Sequence, residues 1–188
     1  MRRAALALLL LAACGPAPVR VPVPQAPVGE PVAIAFAAVE VREVSLPLYA
    51  EGEDIFVQSG GGLSPLAGAQ WADDPARALT LDLARALSDL TGARVAPEPW
   101  PFEEDAGAVV DVRVSEIVAR TGAAGAPGAF VLEGQAYVGA REGEGGDSAQ
   151  DFAIAVPLPE GAGPGAIAAA RAEATRALAR QIAERGLR

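Results

Sequence analysis

Alternating apolar and polar positions predict three strands in the second half of the chain. Apolar residues recur at every second position, which is the period of a half-buried strand. Glycine-rich turns around 122–128 and 141–151 separate the three segments, so we expect an antiparallel meander. Its inward-facing positions are Ala108, Val110, Val112, Val114, Phe130, Leu132, Gly134, Ala136, Val138, Phe152, Ile154 and Val156.

Two other segments carry apolar residues at helical spacing. The first begins at Asp73-Asp74-Pro75, where a carboxylate can cap the helix and proline suits the first turn, and it ends at Thr91-Gly92. The second follows Pro164, and its arginines, Arg171 among them, fall largely outside its apolar face. We expect both stripes to be core; they comprise Leu79, Leu83, Ala86, Leu87 and Leu90 in the first helix and Ile167, Ala170, Ala174, Leu178 and Ile182 in the second.

The remaining segments predict shorter elements. Residues 32–47 are rich in Val, Ile and Phe and are expected to form the first strand, and 55–57 a short second strand. The glycines at 60–62 and at 68 indicate a loop, explained by turns more simply than by phosphate binding. Prolines exclude regular structure from 97–102, which we expect to pack across a sheet edge or helix end. These elements together predict an α+β fold: a two-layer domain with a mostly antiparallel sheet covered on one side by two helices.

The N-terminus has the layout of an export signal. Two arginines precede a short apolar run and the small residues Ala12 and Ala13, and the run is far shorter than the ~20 residues of a spanning helix. Leu11-Ala12-Ala13-Cys14 resembles the lipobox of bacterial lipoproteins, which implies acylation of the Cys14 thiol after removal of residues 1–13. The alternative is an ordinary secretory signal with a chance cysteine.

The residues after Cys14 are rich in proline. Residues 14–31 are interpreted as the acylated cysteine and a linker, leaving 32–188 as the folded domain. An extended polyproline stalk of this length could hold the domain up to roughly 50 Å from the lipid. The alternative is a segment folded along the domain.

Composition excludes several functions. The signal holds two of the 15 basic residues, which leaves 13 against 24 acidic residues, so nucleic acid is a poor partner. The chain has no histidine and its basic residues are all arginine, which rules out a His-based triad and a lysine Schiff base and disfavours zinc. Cys14 is the only cysteine, so there is no internal disulfide. We therefore expect no metal and no cofactor other than the covalent lipid.

The order of three motifs resembles a known family. Leu46-Pro47-Leu48-Tyr49, then Trp71-Ala72-Asp73-Asp74-Pro75 leading into a helix, then Ala96-Pro97-Glu98-Pro99-Trp100-Pro101-Phe102 before the meander are similar to the ABC-type transport auxiliary lipoproteins, the PqiC-like group. The likeness covers roughly Val32 to Leu187. In many members a basic residue follows Ile55 within the strand, whereas this chain has Val57-Gln58-Ser59, so no role for that charge is transferred.

The resemblance implies a partner of an envelope lipid-transport system. In such a system an inner-membrane permease and an MCE-domain protein form a conduit across the periplasm, and the lipoprotein docks or supports it at the outer membrane. Gly15, where an aspartate is absent, resembles the outer-membrane sorting pattern. The number of copies that assemble stays open, and a homo-oligomer is one alternative.

Three aromatic residues are candidates for packing or partner contact. Trp71 and Trp100 are expected to be core rather than interface, and Tyr49 is either a buried anchor or a contact residue. A carboxylate-dependent hydrolase is a rival function, based on Asp73-Asp74 and on the acidic run 103–105. Direct lipid carriage is a second rival, although the small apolar residues suit close packing better than a cavity.

Overall fold

The fold is an eight-stranded mixed sheet with two helices. The computed structural model describes residues 17–27, 29–120, 122, 128–141 and 145–188. A single 3-10 turn, Leu48–Ala50, precedes the third strand. The elements in chain order are β1 (Val19–Val21), β2 (Ala38–Val41), β3 (Asp54–Ser59), β4 (Gly62–Trp71), α1 (Pro75–Thr91), β5 (Arg94–Pro97), β6 (Ala108–Arg120), β7 (Gly128–Ala140), β8 (Ser148–Leu158) and α2 (Pro164–Arg185).

Strand β6 is the centre of the sheet. Along one side it pairs antiparallel with β7, which pairs antiparallel with β8, so the predicted meander is confirmed. Along the other side, β2 pairs parallel with the start of β6 and β3 pairs parallel with its end. Strand β5 then flanks β2. In turn, β4 flanks β3, and β1 flanks β4 at the edge of the sheet. The long ladders are antiparallel, which confirms the predicted fold class.

The two helices pack side by side against one face of the sheet. Asp74 caps α1 by accepting from the backbone N–H of Arg77 at 2.8 Å, and Gly92 ends the helix in the left-handed conformation. The predicted stripes of both helices meet the sheet, and Leu79, Leu83, Leu87, Leu178 and Ile182 are fully buried in the core. Among the residues that the structure describes, no helix has both the length and the apolar character needed to cross a bilayer.

The first predicted strand is shorter than expected. Of residues 32–47 only Ala38–Val41 forms β2, because earlier backbone groups bond to helix ends instead of a strand. The N–H of Val32 donates to the carbonyl of Leu90, and that of Ala35 to the carbonyl of Leu187. This segment therefore ties the C-terminal ends of both helices to the sheet.

The glycines at 60–62 and 68 do not form the predicted loop. Gly60 and Gly61 form the two-residue turn of a β3–β4 hairpin, both at positive φ, which matches the twist of a tight hairpin. Gly68 lies in a bulge of β4, where the register passes from Asp54↔Gln70 to Phe56↔Pro65. The turn explanation is therefore confirmed for Gly60 and Gly61, whereas the loop prediction was wrong for Gly62 and Gly68, because glycine inside a strand marks a bulge as readily as a loop.

The stalk interpretation of residues 14–31 is also wrong for the part that the structure describes. Val19–Val21 forms β1 and pairs parallel with Ala69–Trp71 of β4. Residues 22–27 then run across the helices, and the carbonyl of Glu30 accepts from Arg180 at 2.8 Å. The alternative, a segment folded along the domain, is the one observed.

Candidate functional site

Contacts with the end of β4 fix the start of the described N-terminal segment. Arg20 of β1 forms an ion pair with Glu53, and its guanidinium also donates to the carbonyl of Trp71 at 3.1 Å. The N–H of Ala72 donates to the carbonyl of Val21 at 3.0 Å. The chain next to the predicted anchor is therefore part of the fold.

Two cavities lie beneath this segment, on the helix side of the molecule. One has a volume of about 240 Å³ and lies between Val21–Val23, Trp71 and the start of α1. The other, of about 90 Å³, lies between Pro24–Pro27 and both helices. Asp82 and Arg85 of α1 line both, so the two cavities adjoin.

Arg171 corrects the predicted face of α2. It was expected outside the apolar face, but its side chain is only 1 % exposed and lies among the largest fully buried side chains. Its guanidinium stacks on the ring of Trp71 at 4.7 Å, and it donates to the carbonyl of Pro75 at 3.0 Å. A cationic plane over an indole face is a favourable contact, and it explains why a charge is tolerated here.

The guanidinium of Arg171 is incompletely satisfied. Its Nε and Nη1 have no hydrogen-bond partner among the residues that the structure describes. Burial lowers the pKa of Arg171 from its ordinary value to about 10, while the carboxylates of Asp82, Asp73 and Asp74 act in the opposite direction. Burial also raises the pKa of Asp82, which Arg171 and Arg85 oppose. The cavity wall is therefore an electrostatically balanced set of arginines and aspartates.

Trp71 is a core residue, as predicted. It is buried between β1, the start of α1 and Arg171. The Trp-Ala-Asp-Asp-Pro motif thus has a structural explanation: the tryptophan ends β4, the second aspartate caps α1, and the first pairs with Arg77.

Tyr49 acts as a half-buried anchor. The N–H of Ile117 donates to its hydroxyl oxygen at 3.0 Å, and the hydroxyl is 3.4 Å from the carbonyl of the same residue. Its ring meets Phe56 edge to face, with the centroids 5.4 Å apart. Burial raises the pKa of Tyr49, and the hydrogen bond from Ile117 opposes this. Tyr49 therefore fastens the 3-10 turn to β6, while its neighbour Leu48 is exposed.

Trp100 lies far from the other two aromatic residues. Its indole N–H donates to the carbonyl of Glu104 at 2.7 Å, and its ring meets Phe102 edge to face at 4.9 Å. Phe102 is 43 % exposed and is covered in part by Arg94, whose guanidinium lies 5.1 Å from the ring centroid. The expectation that Trp100 is a core residue is therefore wrong: it is only half-buried, because its ring packs on the exposed Phe102 and not between sheet and helices, and it belongs to an aromatic surface segment next to β5.

The acidic clusters do not form a paired catalytic site. Asp74 caps α1 and Asp73 pairs with Arg77, whereas Glu104 lies 3.7 Å from Arg94, beyond the other end of α1. The two clusters lie near opposite ends of α1, and a helix of 17 residues is about 25 Å long. The described residues contain no group of three or more acidic side chains placed to hold a metal ion.

The lipidation residues lie outside the described part of the chain. Leu11, Ala12, Ala13 and Cys14 precede residue 17, so acylation stays a prediction. Sequence reasoning also missed three features: the burial of Arg171, the pairing of β1, and strand β5, which ends at Pro97 inside the segment from which prolines were expected to exclude regular structure. An Arg on a helix rich in alanine gives no sign of its partner when Trp71 is a hundred positions away.

Comparison with known proteins identifies the family. Residues 20–183 match the family described as ABC-type transport auxiliary lipoprotein component. No curated protein sequence matches the chain. A crystal structure of a Xanthomonas campestris protein of family DUF330 is 22 % identical, with a TM-score of 0.65 over 91 % of this chain and 93 % of that one. The crystal structure of an uncharacterized protein is 18 % identical, also at 0.65, over 88 % and 97 %.

These structural neighbours share the fold, and the sequence match covers all of the described strands and helices except the first residue of β1 and the last two residues of α2. The chain belongs to the ABC-type transport auxiliary lipoprotein component family.

Proposed function

We propose that this protein is a lipid-anchored accessory component of an MCE-type intermembrane lipid transport system, which docks or supports the conduit at the outer membrane. Its partners are then an MCE-domain protein and an inner-membrane permease. Family membership supports an accessory transport role. The anchor, the membrane and the partners are the parts that experiments must test.

The observation that carries the proposal is the closeness of the family domain to Cys14. The family match begins at residue 20 and β1 begins at Val19, five positions after the cysteine. Five extended residues span at most about 17 Å. Acylation at Cys14 would therefore hold the accessory domain against the membrane surface without a stalk.

The anchor itself requires only the acyl chains. Each buried CH2 contributes about 0.8 kcal/mol, and two or three chains together hold a protein durably on a bilayer. The thiol of Cys14 is the best nucleophile in the segment for such a modification. Gly15 supports sorting to the outer membrane, by resemblance to lipoproteins that lack an aspartate at that place.

The experiment combines fractionation with affinity capture of the protein expressed beside its natural envelope partners. The wild-type chain should float with the outer membrane and retrieve an MCE-domain component. Cys14→Ser should be released from the membrane, and Gly15→Asp should shift the protein to the inner membrane. Wild-type protein that is soluble and retrieves no transport component would refute the proposal, whereas copurified phospholipid would favour carriage.

A further inference from the structure

Charge is distributed unevenly over this acidic chain. Residues 55–72 contain no charged side chain, and this is the longest uncharged run in a chain that has 24 acidic and 15 basic residues. The run covers most of the β3–β4 hairpin. A strand pair that projects from an acidic domain without any charge of its own needs an explanation.

The tip of this hairpin is exposed throughout. Residues 59–65, here named the hairpin tip, are all solvent-exposed, and they include Leu63, which is 45 % exposed. The remaining tip residues are two serines, one proline and three glycines. Such a surface has one apolar side chain and small polar groups that can bond to lipid headgroups, with nothing that an anionic surface repels.

The hairpin tip lies on the side of the domain from which the chain enters β1. Because β1 runs parallel to β4 with Val19 opposite Ala69, the chain before Val19 leads back toward the start of β4, which is the tip. From Asp54, at the level of β1, to Ser59 at the tip is five strand residues, or about 17 Å. Cys14 lies five positions before Val19, and five residues span at most about 17 Å, so the reach of the predicted anchor equals the height of the tip above β1.

We propose that the hairpin tip rests in the headgroup layer of the membrane to which Cys14 is attached, and that it orients the domain on the bilayer. This inference rests on the proposed acylation of Cys14. The acyl chains hold the protein on the bilayer, and contact between the hairpin tip and the headgroups sets the orientation of the domain. The net negative charge of the chain favours the same orientation, because anionic lipids repel it least where the uncharged tip is the surface of closest approach.

The charged groups at the end of β6, beside the base of the hairpin, are engaged with each other. Arg120 lies opposite Gln58 at the end of β6, and its guanidinium binds Glu116 at 2.7 Å. Glu133 is 4.0 Å from the same guanidinium. This group lies at the base of the hairpin and adds no free charge to the tip.

The test places a fluorescent label on the full-length acylated protein in vesicles that contain a nitroxide-quencher lipid. Because Cys14 is the only cysteine and acylation consumes its thiol, a cysteine introduced elsewhere is the unique labelling site. Leu63→Cys reports on the tip. Phe102→Cys is the matched control, since Phe102 is 43 % exposed and lies at the opposite end of β6.

We expect quenching at Leu63→Cys to exceed that at Phe102→Cys by roughly twofold or more, because interfacial segments lie ~5–10 Å into the headgroup boundary. A label at Ser64→Cys should show the same strong quenching, and this quenching should fall to the level of Phe102→Cys when the substitution Leu63→Asp is added to the same chain. Thermal unfolding of each variant should match that of the wild type, which would confirm that the domain is folded.

The outcomes separate this inference from the proposed function. Protein that does not float with vesicles overturns the anchor, and with it the proposed function. Protein that floats but shows equal quenching at Leu63→Cys and Phe102→Cys overturns only the orientation. A tip label that is shielded only when the MCE-domain protein is present would assign the tip to a protein contact and would also overturn the inference.

Discussion

Replacing Arg171 by methionine tests whether the buried guanidinium stabilises the domain through its charge or through its bulk. Lowering the pKa of Arg171 to about 10 means that folding disfavours the charged form by about 3 kcal/mol. This is the net cost of the charge, so the stacking on Trp71 and the hydrogen bond to the carbonyl of Pro75 limit that cost but do not remove it. A variant that lacks the guanidinium loses the stacking, worth about 2 kcal/mol when desolvated, and is relieved of the buried charge, so the two effects largely offset each other.

Methionine keeps an unbranched chain in the same space and removes the charge. We therefore expect the free energy of unfolding of Arg171→Met to lie within about 1 kcal/mol of the wild-type value at neutral pH, because replacing a buried charge by an apolar group of similar size is often neutral. Arg171→Ala removes the aliphatic stem as well and leaves a cavity, which should cost ~3 kcal/mol. Urea unfolding of the full-length Cys14→Ser chain, followed by circular dichroism, measures both variants under the same conditions.

The pH dependence gives the sign of the charge effect. Below pH 10 the arginine is charged in both the folded and the unfolded chain, so the cost of burial is fully present. Between about pH 10 and pH 12.5 the unfolded chain binds more protons than the folded one, so the stability of the wild type should rise relative to Arg171→Met. The reasoning is refuted if Arg171→Met is as unstable as Arg171→Ala, and if the difference in stability between the wild type and Arg171→Met does not change near pH 10.5.

Three further substitutions test contacts of the core and the sheet by thermal or urea unfolding. A Cβ on Gly134 would lie 2.2 Å from a backbone carbonyl oxygen of β6, so Gly134→Ala should lower the free energy of unfolding by about 3 kcal/mol. Gly139→Ala in the same strand meets open space and should be nearly neutral. Equal effects of the two substitutions would contradict this reasoning. Thr80→Val removes the hydroxyl that accepts from a buried backbone N–H at 2.9 Å and should cost ~1–3 kcal/mol; an unchanged midpoint would show that the N–H finds another partner. Tyr49→Phe removes the hydroxyl that accepts from Ile117 and should cost ~1 kcal/mol, with no loss if water takes its place.

Elements with a clear period could be predicted from the sequence. The alternation in 108–156 and the stripes of both helices gave the layers, and the Asp73-Asp74-Pro75 motif gave the start of α1, because each of these signals is local. Apart from the glycines of β4, the main errors concern partners that are distant in the chain. β1 is a strand only because β4 offers it an edge, and Arg171 is buried only because Trp71 offers it a ring.

The candidate site could be predicted only in part for the same reason. Trp71 was expected in the core and lies there, since a large aromatic side chain beside a helix start usually closes a layer. The alternatives for Tyr49 could not be separated, because its hydroxyl is held by the backbone of Ile117, far along the chain. The orientation of the hairpin tip could not be inferred while residues 14–31 were interpreted as a stalk, since a long stalk would remove any fixed relation between anchor and fold.

The proposed orientation also limits where a transport partner can bind. β6 has 13 residues, so its two ends lie about 40 Å apart. With the hairpin tip in the headgroups, the other end of β6, where Trp100, Phe102 and Arg94 form the aromatic surface segment, lies farthest from the membrane. A conduit that arrives from the inner membrane meets that end before it meets the tip. A photo-crosslinker at Phe102 should therefore capture the MCE-domain protein more often than one at Leu63, and the reverse order would mean that the domain stands on the bilayer the other way up.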